Sequence, residues 1–203
     1  MSSETPHSDD IDPVQLYLSE VNRRMGMKLF LASLTVLFVV SIVAYLIIFF
    51  SRPEDAQIDK IGLPRGLWAS TVALLGAGLT MYAADYSARR GQMQDLRKWL
   101  LRCYGLTVVF LAIQTPCMIE LLAVHNVALD RQFISNNGLI FALIIVHALH
   151  VIGGMAPLSV LAYRILRHRL RWEQVPAVHS CAIYWHFLEG VWVVLFGLLL
   201  LTA

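Results

Sequence analysis

Two short stretches of this chain carry side chains whose types and spacing could do chemistry: His147-Ala-Leu-His150-Val-Ile-Gly153-Gly154 and Tyr184-Trp185-His186-Phe187-Leu188-Glu189-Gly190-Val191-Trp192. Within each stretch the ionisable residues are three apart, which puts His147 beside His150, and His186 beside Glu189, on one face of a helix. Glu120 stands in a third apolar segment. Ionisable groups are costly inside hydrocarbon, so each marks a candidate functional site. Imidazoles on two helices could ligate a haem, and an acid with histidines from several helices could hold iron. The same groups could relay protons. They could also only pin helices together, each intramembrane hydrogen bond contributing about 0.6 kcal/mol. A di-iron centre wants several carboxylates, and the apolar segments supply only Glu120 and Glu189. Spacing alone leaves the redox, proton-relay and structural readings open.

The elements that must position these residues follow from composition. Hydrophobic residues make up 58% of the chain and charged residues 15%, which defines an integral membrane protein. Five apolar runs are long enough to cross a hydrocarbon core of about 30 Å: Lys28 to Phe50, Leu67 to Ala84, Leu100 to Val124, Gly138 to Tyr163 and Cys181 to Thr202. Backbone groups in lipid must be satisfied within the segment, and no period-two alternation suggests a barrel. The expected fold is an all-α bundle of five transmembrane helices, residues 28–203, preceded by a polar tail over residues 1–27 without the features of a secretory leader.

Twelve of the sixteen basic residues fall on one side of this topology: Arg23, Arg24, Lys28, Arg89, Arg90, Arg97, Lys98, Arg102, Arg164, Arg167, Arg169 and Arg171. The other side has Arg52, Lys60, Arg65 and Arg131, interspersed with Glu54, Asp55, Asp59 and Asp130. The positive-inside rule then predicts a cytoplasmic amino terminus and an external carboxyl terminus. Orientation explains the basic residues, so the net charge of +2 gives no reason to expect nucleic acid. Cys103, Cys117 and Cys181 form no Cys-x-x-Cys pair and read as small buried apolar residues. No inverted repeat or pair of broken helices suggests a transporter.

The order and wording of the segments resemble subunit III of the haem-copper oxidases. The resemblance runs from Gly26-Met-Lys-Leu-Phe-Leu-Ala-Ser33, through Arg89-Arg90-Gly91-Gln92, Arg97-Lys-Trp-Leu100 and Ala112-Ile-Gln114, to the two histidine stretches, and covers residues 26–202. The His147 stretch is similar to the family's H-G-L-H-V pattern. The Tyr184 stretch is similar to its Y-W-H-F-x-D-x-x-W pattern, with Glu189 where most members carry Asp. The resemblance implies a short, five-helix bacterial member that is a non-catalytic core subunit, with haem and copper held by a partner catalytic subunit and none in this chain. It further implies packing against that partner and other oxidase subunits, phospholipid binding, and support of proton uptake during oxygen reduction in a bacterial plasma membrane. On this reading Glu120, His147, His150, Trp185, His186, Glu189 and Trp192 form a structural polar network, and Arg164 is a candidate for a phospholipid phosphate, whose geometry suits a guanidinium fork.

Three departures from the family pattern stand out. Leu34 occupies the place of a helix I carboxylate. Cys117 replaces the first of two acids in the third segment while Glu120 remains, beside a Pro116 expected to kink the helix. Ala84 and Asp85 stand where a histidine pair is common. The alternatives are therefore a subunit III-like partner of a nitric oxide reductase, or a stand-alone membrane haem or metal protein using His147, His150 and His186.

Overall fold

The computed structural model describes residues 13–51, 65–129, 136–167 and 175–202, with side chains described outside 13–20, 23–24, 121–141 and 202. Within these residues the chain is five helices and no strand: α1 (Pro13–Phe50), α2 (Gly66–Arg89), α3 (Met93–Leu129), α4 (Asn136–Leu166) and α5 (Val175–Thr202). Each is long and apolar enough to cross a membrane, over Met25–Phe50, Gly66–Arg89, Met93–Glu120, Ala142–Leu166 and Val175–Leu201. The shortest of the helices, 24 residues, runs about 36 Å at 1.5 Å per residue and so clears the hydrocarbon core. The helices extend past the apolar runs into the polar residues at their ends. Helix α1 begins at Pro13, inside the polar tail, at a helix start where a missing N–H costs nothing. Helices α3 and α4 continue through Pro116 and Pro157.

Arg52, Glu54, Asp55, Asp59, Lys60, Asp130, Arg131, Arg169 and Arg171 lie outside the described residues, as do the side chains of Arg23 and Arg24.

The chain divides into Met1–Leu37 and Phe38–Ala203. In the first, the described residues are one continuous helical stretch. In the second, α2 packs on α3 and α5, and α4 packs on α5 and α3. Helix α2 pairs with α3 through a tight reversal. Gly91 adopts φ 75°, the left-handed conformation that glycine enters without steric cost. Gly91 N donates to Ala88 O at 3.2 Å and Gln92 N to Ser87 O at 3.0 Å, which closes the last carbonyls of α2 in a Schellman motif. A turn this short makes the two helices antiparallel neighbours.

Hydrocarbon gives helices no hydrophobic reason to associate, so close backbone approach and interhelical hydrogen bonds must hold them. The buried face of α2 supplies both, with Ser70, Thr71, Ala77, Gly78, Ala84, Ser87 and Ala88 among Leu67, Leu74 and Met81. These small residues let α3 and α5 come near. Trp185, Trp192, Phe110 and Phe38 fill the spaces that remain, each at 2% exposure or less.

An intramembrane polar seam as the candidate functional site

Helix α5 carries the centre of the site, because its inward face presents Trp185, Leu188, Trp192, Leu195 and Leu199 at helical spacing. Trp192 meets three other helices. Its indole N–H donates to Thr71 Oγ1 on α2 at 3.1 Å, and the Thr71 hydroxyl in turn donates to Leu67 O at 2.7 Å, so both groups are satisfied. Phe110 of α3 stands edge-on to the indole at 6.2 Å, and His147 of α4 stacks on it at 5.7 Å with 26° between the planes. Four helices thus meet at one side chain.

His147 is only 2% exposed, and neither of its ring nitrogens has a hydrogen-bond partner among the described residues. Its surroundings are rings: Trp192 on one side and Phe38, edge-on at 6.2 Å, on another. His150 stands edge-on to the same Phe38 ring, at 5.6 Å. Its Nδ1 lies 2.6 Å from Val146 O, and since a carbonyl only accepts, the proton sits on Nδ1. Tyr184 then ties α5 to α4 by donating to His150 O at 2.9 Å. The approach there is close, because a Cβ on Gly154 would stand 2.7 Å from Tyr184 Cε1, whereas one on Gly153 would meet nothing within 4 Å.

His186 and Glu189 pair through Nδ1 and Oε2 at 3.1 Å. The carboxylate lies against the bare backbone of Gly78 on α2, in the space a Cβ would need. The carboxylate is 16% exposed and the imidazole 40%, so the pair straddles the edge of the α2·α5 contact. Nearby, Thr107 of α3 donates to Cys103 O at 2.8 Å. Toward the far end of α2, Ser70 and Gln114 join α2 to α3 at 2.7 Å.

A further cluster closes the seam at the other end of α2. Asp85 meets Arg89 at 2.8 Å and His179 of α5 at 3.0 Å, and Arg89 also reaches His179 Nδ1 at 3.1 Å. One ring nitrogen cannot both donate to the carboxylate and accept from the guanidinium, so the protonation of His179 decides which contact is a hydrogen bond.

Of the residues singled out from sequence, Trp192, His147, His186, Glu189 and the backbone of His150 lie within this seam. Trp185 is buried at 1% exposure with its indole N–H unpartnered among the described residues. Glu120 is exposed at the end of its span, and among the described residues no hydrogen bond joins it to α4 or α5. Arg164 is exposed in the last turn of α4. Cys103, Cys117 and Cys181 are buried and free. Sequence reasoning missed Thr71, Ser70, Gln114, Gly78, Asp85 and His179. Asp85 carried a signal in its spacing of four from Arg89 and Gln114 in the family-like Ala112-Ile-Gln114 stretch; the others are ordinary membrane-helix residues until a partner is placed opposite.

Among the described residues no group of three or more His, Cys, Asp or Glu side chains could hold a metal ion. Four histidines point in separate directions: His147 against aromatic rings, His150 to its own backbone, His186 to Glu189 and His179 to Asp85 at the end of α2. This is a multi-pass, all-α membrane protein whose intramembrane polar groups bond partly within one helix, as His186 with Glu189, and partly across helices, as Trp192 with Thr71 and Ser70 with Gln114.

Comparison with known proteins narrows that class. Residues 18–201 match the family described as cytochrome c oxidase subunit III, and the chain belongs to that family. It is 24% identical to cytochrome c oxidase subunit 3 of Alkalihalophilus pseudofirmus, covering 94% of this chain and 92% of that one. It is also 24% identical to the Bacillus subtilis protein of the same name, over 94% and 91% of the two chains. A probable cytochrome c oxidase subunit 3 of Mycobacterium bovis is 28% identical over 62% of this chain and 61% of its own. Membership gives the chain a subunit III role in a haem-copper oxidase and implies a complex with other oxidase subunits.

Proposed function

We propose that this chain is the non-catalytic core subunit III of a bacterial respiratory haem-copper terminal oxidase. It stabilises the catalytic subunit, which holds the haem and copper, and sustains proton uptake there while oxygen is reduced. The observation that carries the reading is that the family match runs through all five spans. The geometry of the histidines agrees with it, because His147 is spent on ring stacking, His150 on a backbone carbonyl and His186 on Glu189. Residues 28–203 act as one five-helix domain in the bacterial inner membrane, with the amino terminus cytoplasmic as the asymmetry of basic residues predicts. Arg164, exposed at the end of α4, offers its guanidinium to a phospholipid phosphate.

The test is isolation of the tagged chain from its native membrane in a gentle detergent, with visible spectra and mass spectrometry before and after the chain is dissociated. A haem-copper catalytic subunit that co-purifies and keeps all the colour supports the reading. Colour or metal retained by the dissociated chain overturns it.

A further inference from the structure

We infer that the outer face of α5 around His186 is a docking seam for a transmembrane helix of a partner chain, one that presents a hydrogen-bond donor to His186 at mid-membrane depth. His186 lies near the middle of the span Val175–Leu201, where an ionisable side chain almost always faces protein or a water-filled cavity. Yet the imidazole is 40% exposed on this chain. Its Nδ1 is engaged with Glu189, and when the neutral ring donates to that carboxylate Nε2 is left as an acceptor for a group on the helix that covers the face.

The residues in line with it have the form of a helix-packing seam. Ile183, His186, Gly190, Val193 and Gly197 follow one another at intervals of three and four, the heptad spacing with which one helix lies along another. Ile183 and Val193 are exposed at 41% and 47%. A Cβ on Gly190 or Gly197 would meet nothing within 4 Å, so these glycines are notches not filled by the described residues of this chain. Elsewhere in the molecule, Gly78 and Gly154 do receive a side chain from a neighbouring helix. Small residues of this kind allow close backbone approach in a membrane, and a polar side chain between them adds an interhelical hydrogen bond. Acyl chains could fill the notches, but they offer no donor to an imidazole. A polar helix supplies both. That the helix belongs to the catalytic subunit rests on the functional reading above.

The test places a photo-crosslinking benzoyl-phenylalanine at Ile183 or Val193, and separately at Leu149 of α4, in the full chain within its native membrane. Crosslinks from 183 and 193 to a membrane-spanning partner are expected. Lipid adducts alone at these positions, a partner reached only from 149, or crosslinks only between copies of this chain would each overturn the seam. If 183 and 193 capture a membrane-spanning protein that is no subunit of a haem-copper oxidase, the seam stands and the oxidase reading falls; capture of another oxidase subunit in place of the catalytic one overturns the assignment of the helix to the catalytic subunit. Gly190→Leu supplies a second measurement, since its side chain enters space open within the described structure. It should leave the helicity and tryptophan fluorescence of the chain unchanged while reducing recovery of the partner. His186→Leu should reduce recovery roughly three- to eighteenfold, the range for one intramembrane hydrogen bond. Undiminished recovery with Gly190→Leu would refute the seam.

Discussion

Gly153 and Gly154 are adjacent and chemically identical, and the structure assigns them opposite responses to the same substitution. A methyl group on Gly154 would stand 2.7 Å from Tyr184 Cε1 and 3.2 Å from Leu188 Cδ1, where ordinary contact begins at 3.4 Å. The Tyr184 ring must therefore retreat by about 0.7 Å, the difference between 3.4 and 2.7. It cannot do so freely, because its hydroxyl is bonded to His150 O at 2.9 Å and the ring is only 8% exposed. A shift of that size carries the hydrogen bond beyond its useful range. Overpacking costs about 1–3 kcal/mol, and the lost intramembrane bond adds about 0.6 kcal/mol. Gly153→Ala meets nothing within 4 Å and keeps the gain of up to about 1 kcal/mol from replacing a glycine inside a helix. Gly154→Ala receives the same gain, so propensity cancels in the comparison. Gly154→Ala should thus be less stable than Gly153→Ala by about 1.6–3.6 kcal/mol. The assay is reversible unfolding of the chain by sodium dodecyl sulfate in mixed micelles, followed by far-UV circular dichroism and tryptophan fluorescence. A difference below about 0.5 kcal/mol, within the scatter of neutral substitutions, or a larger loss from Gly153→Ala, would refute the close approach of α4 and α5.

Thr71→Val removes the acceptor of the Trp192 indole and should destabilise by about 0.6 kcal/mol and at most about 1.7 kcal/mol in the same assay; an equal loss when Trp192 is already phenylalanine would rule out the bond as its source. Gly78→Ala should push the Glu189 carboxylate off α2 and lower stability, and Glu189→Asp, one methylene shorter, should recover part of the loss; a double variant as unstable as the summed singles would break the coupling. Asp85→Asn should cost only about 0.2–1 kcal/mol, because Arg89 and His179 are substantially exposed at the helix ends, and the effect should shrink as salt rises. A loss insensitive to salt would mean the cluster is buried in the assembled protein.

The two histidine stretches were legible as a site because ionisable residues in apolar runs are rare, and their three-residue spacing already paired His186 with Glu189. Their direction was not legible. His147 and His150 share a spacing that suits a ligand pair and both meet Phe38 of α1 edge-on, yet one stacks on Trp192 while the other bonds its own backbone, since their neighbours on α5 differ. Glu120 satisfied the same sequence criterion as Glu189 and lies exposed, because the side of α3 that faces the seam is taken by Phe110, Gln114 and Cys117. Asp85 read as a departure from a family pattern, and only the nearness of α2 and α5 revealed the histidine opposite it.

The sequence by itself determined that this chain crosses a membrane five times as helices, because length, apolarity and the need to satisfy backbone groups in lipid are local requirements. It also determined the reversal between α2 and α3, since Gly91 can take its positive φ without strain, and the wording of its last two spans carried the family resemblance. Tertiary structure alone decided which of two adjacent glycines receives Tyr184, that Thr71 accepts from Trp192, and that Glu189 rests on Gly78. Those outcomes depend on which helix face meets which, and in a membrane nearly every face is apolar enough to turn toward lipid. Small residues, rings and single hydrogen bonds set the choice, and they act only across a contact that pairs residues as far apart in sequence as Thr71 and Trp192.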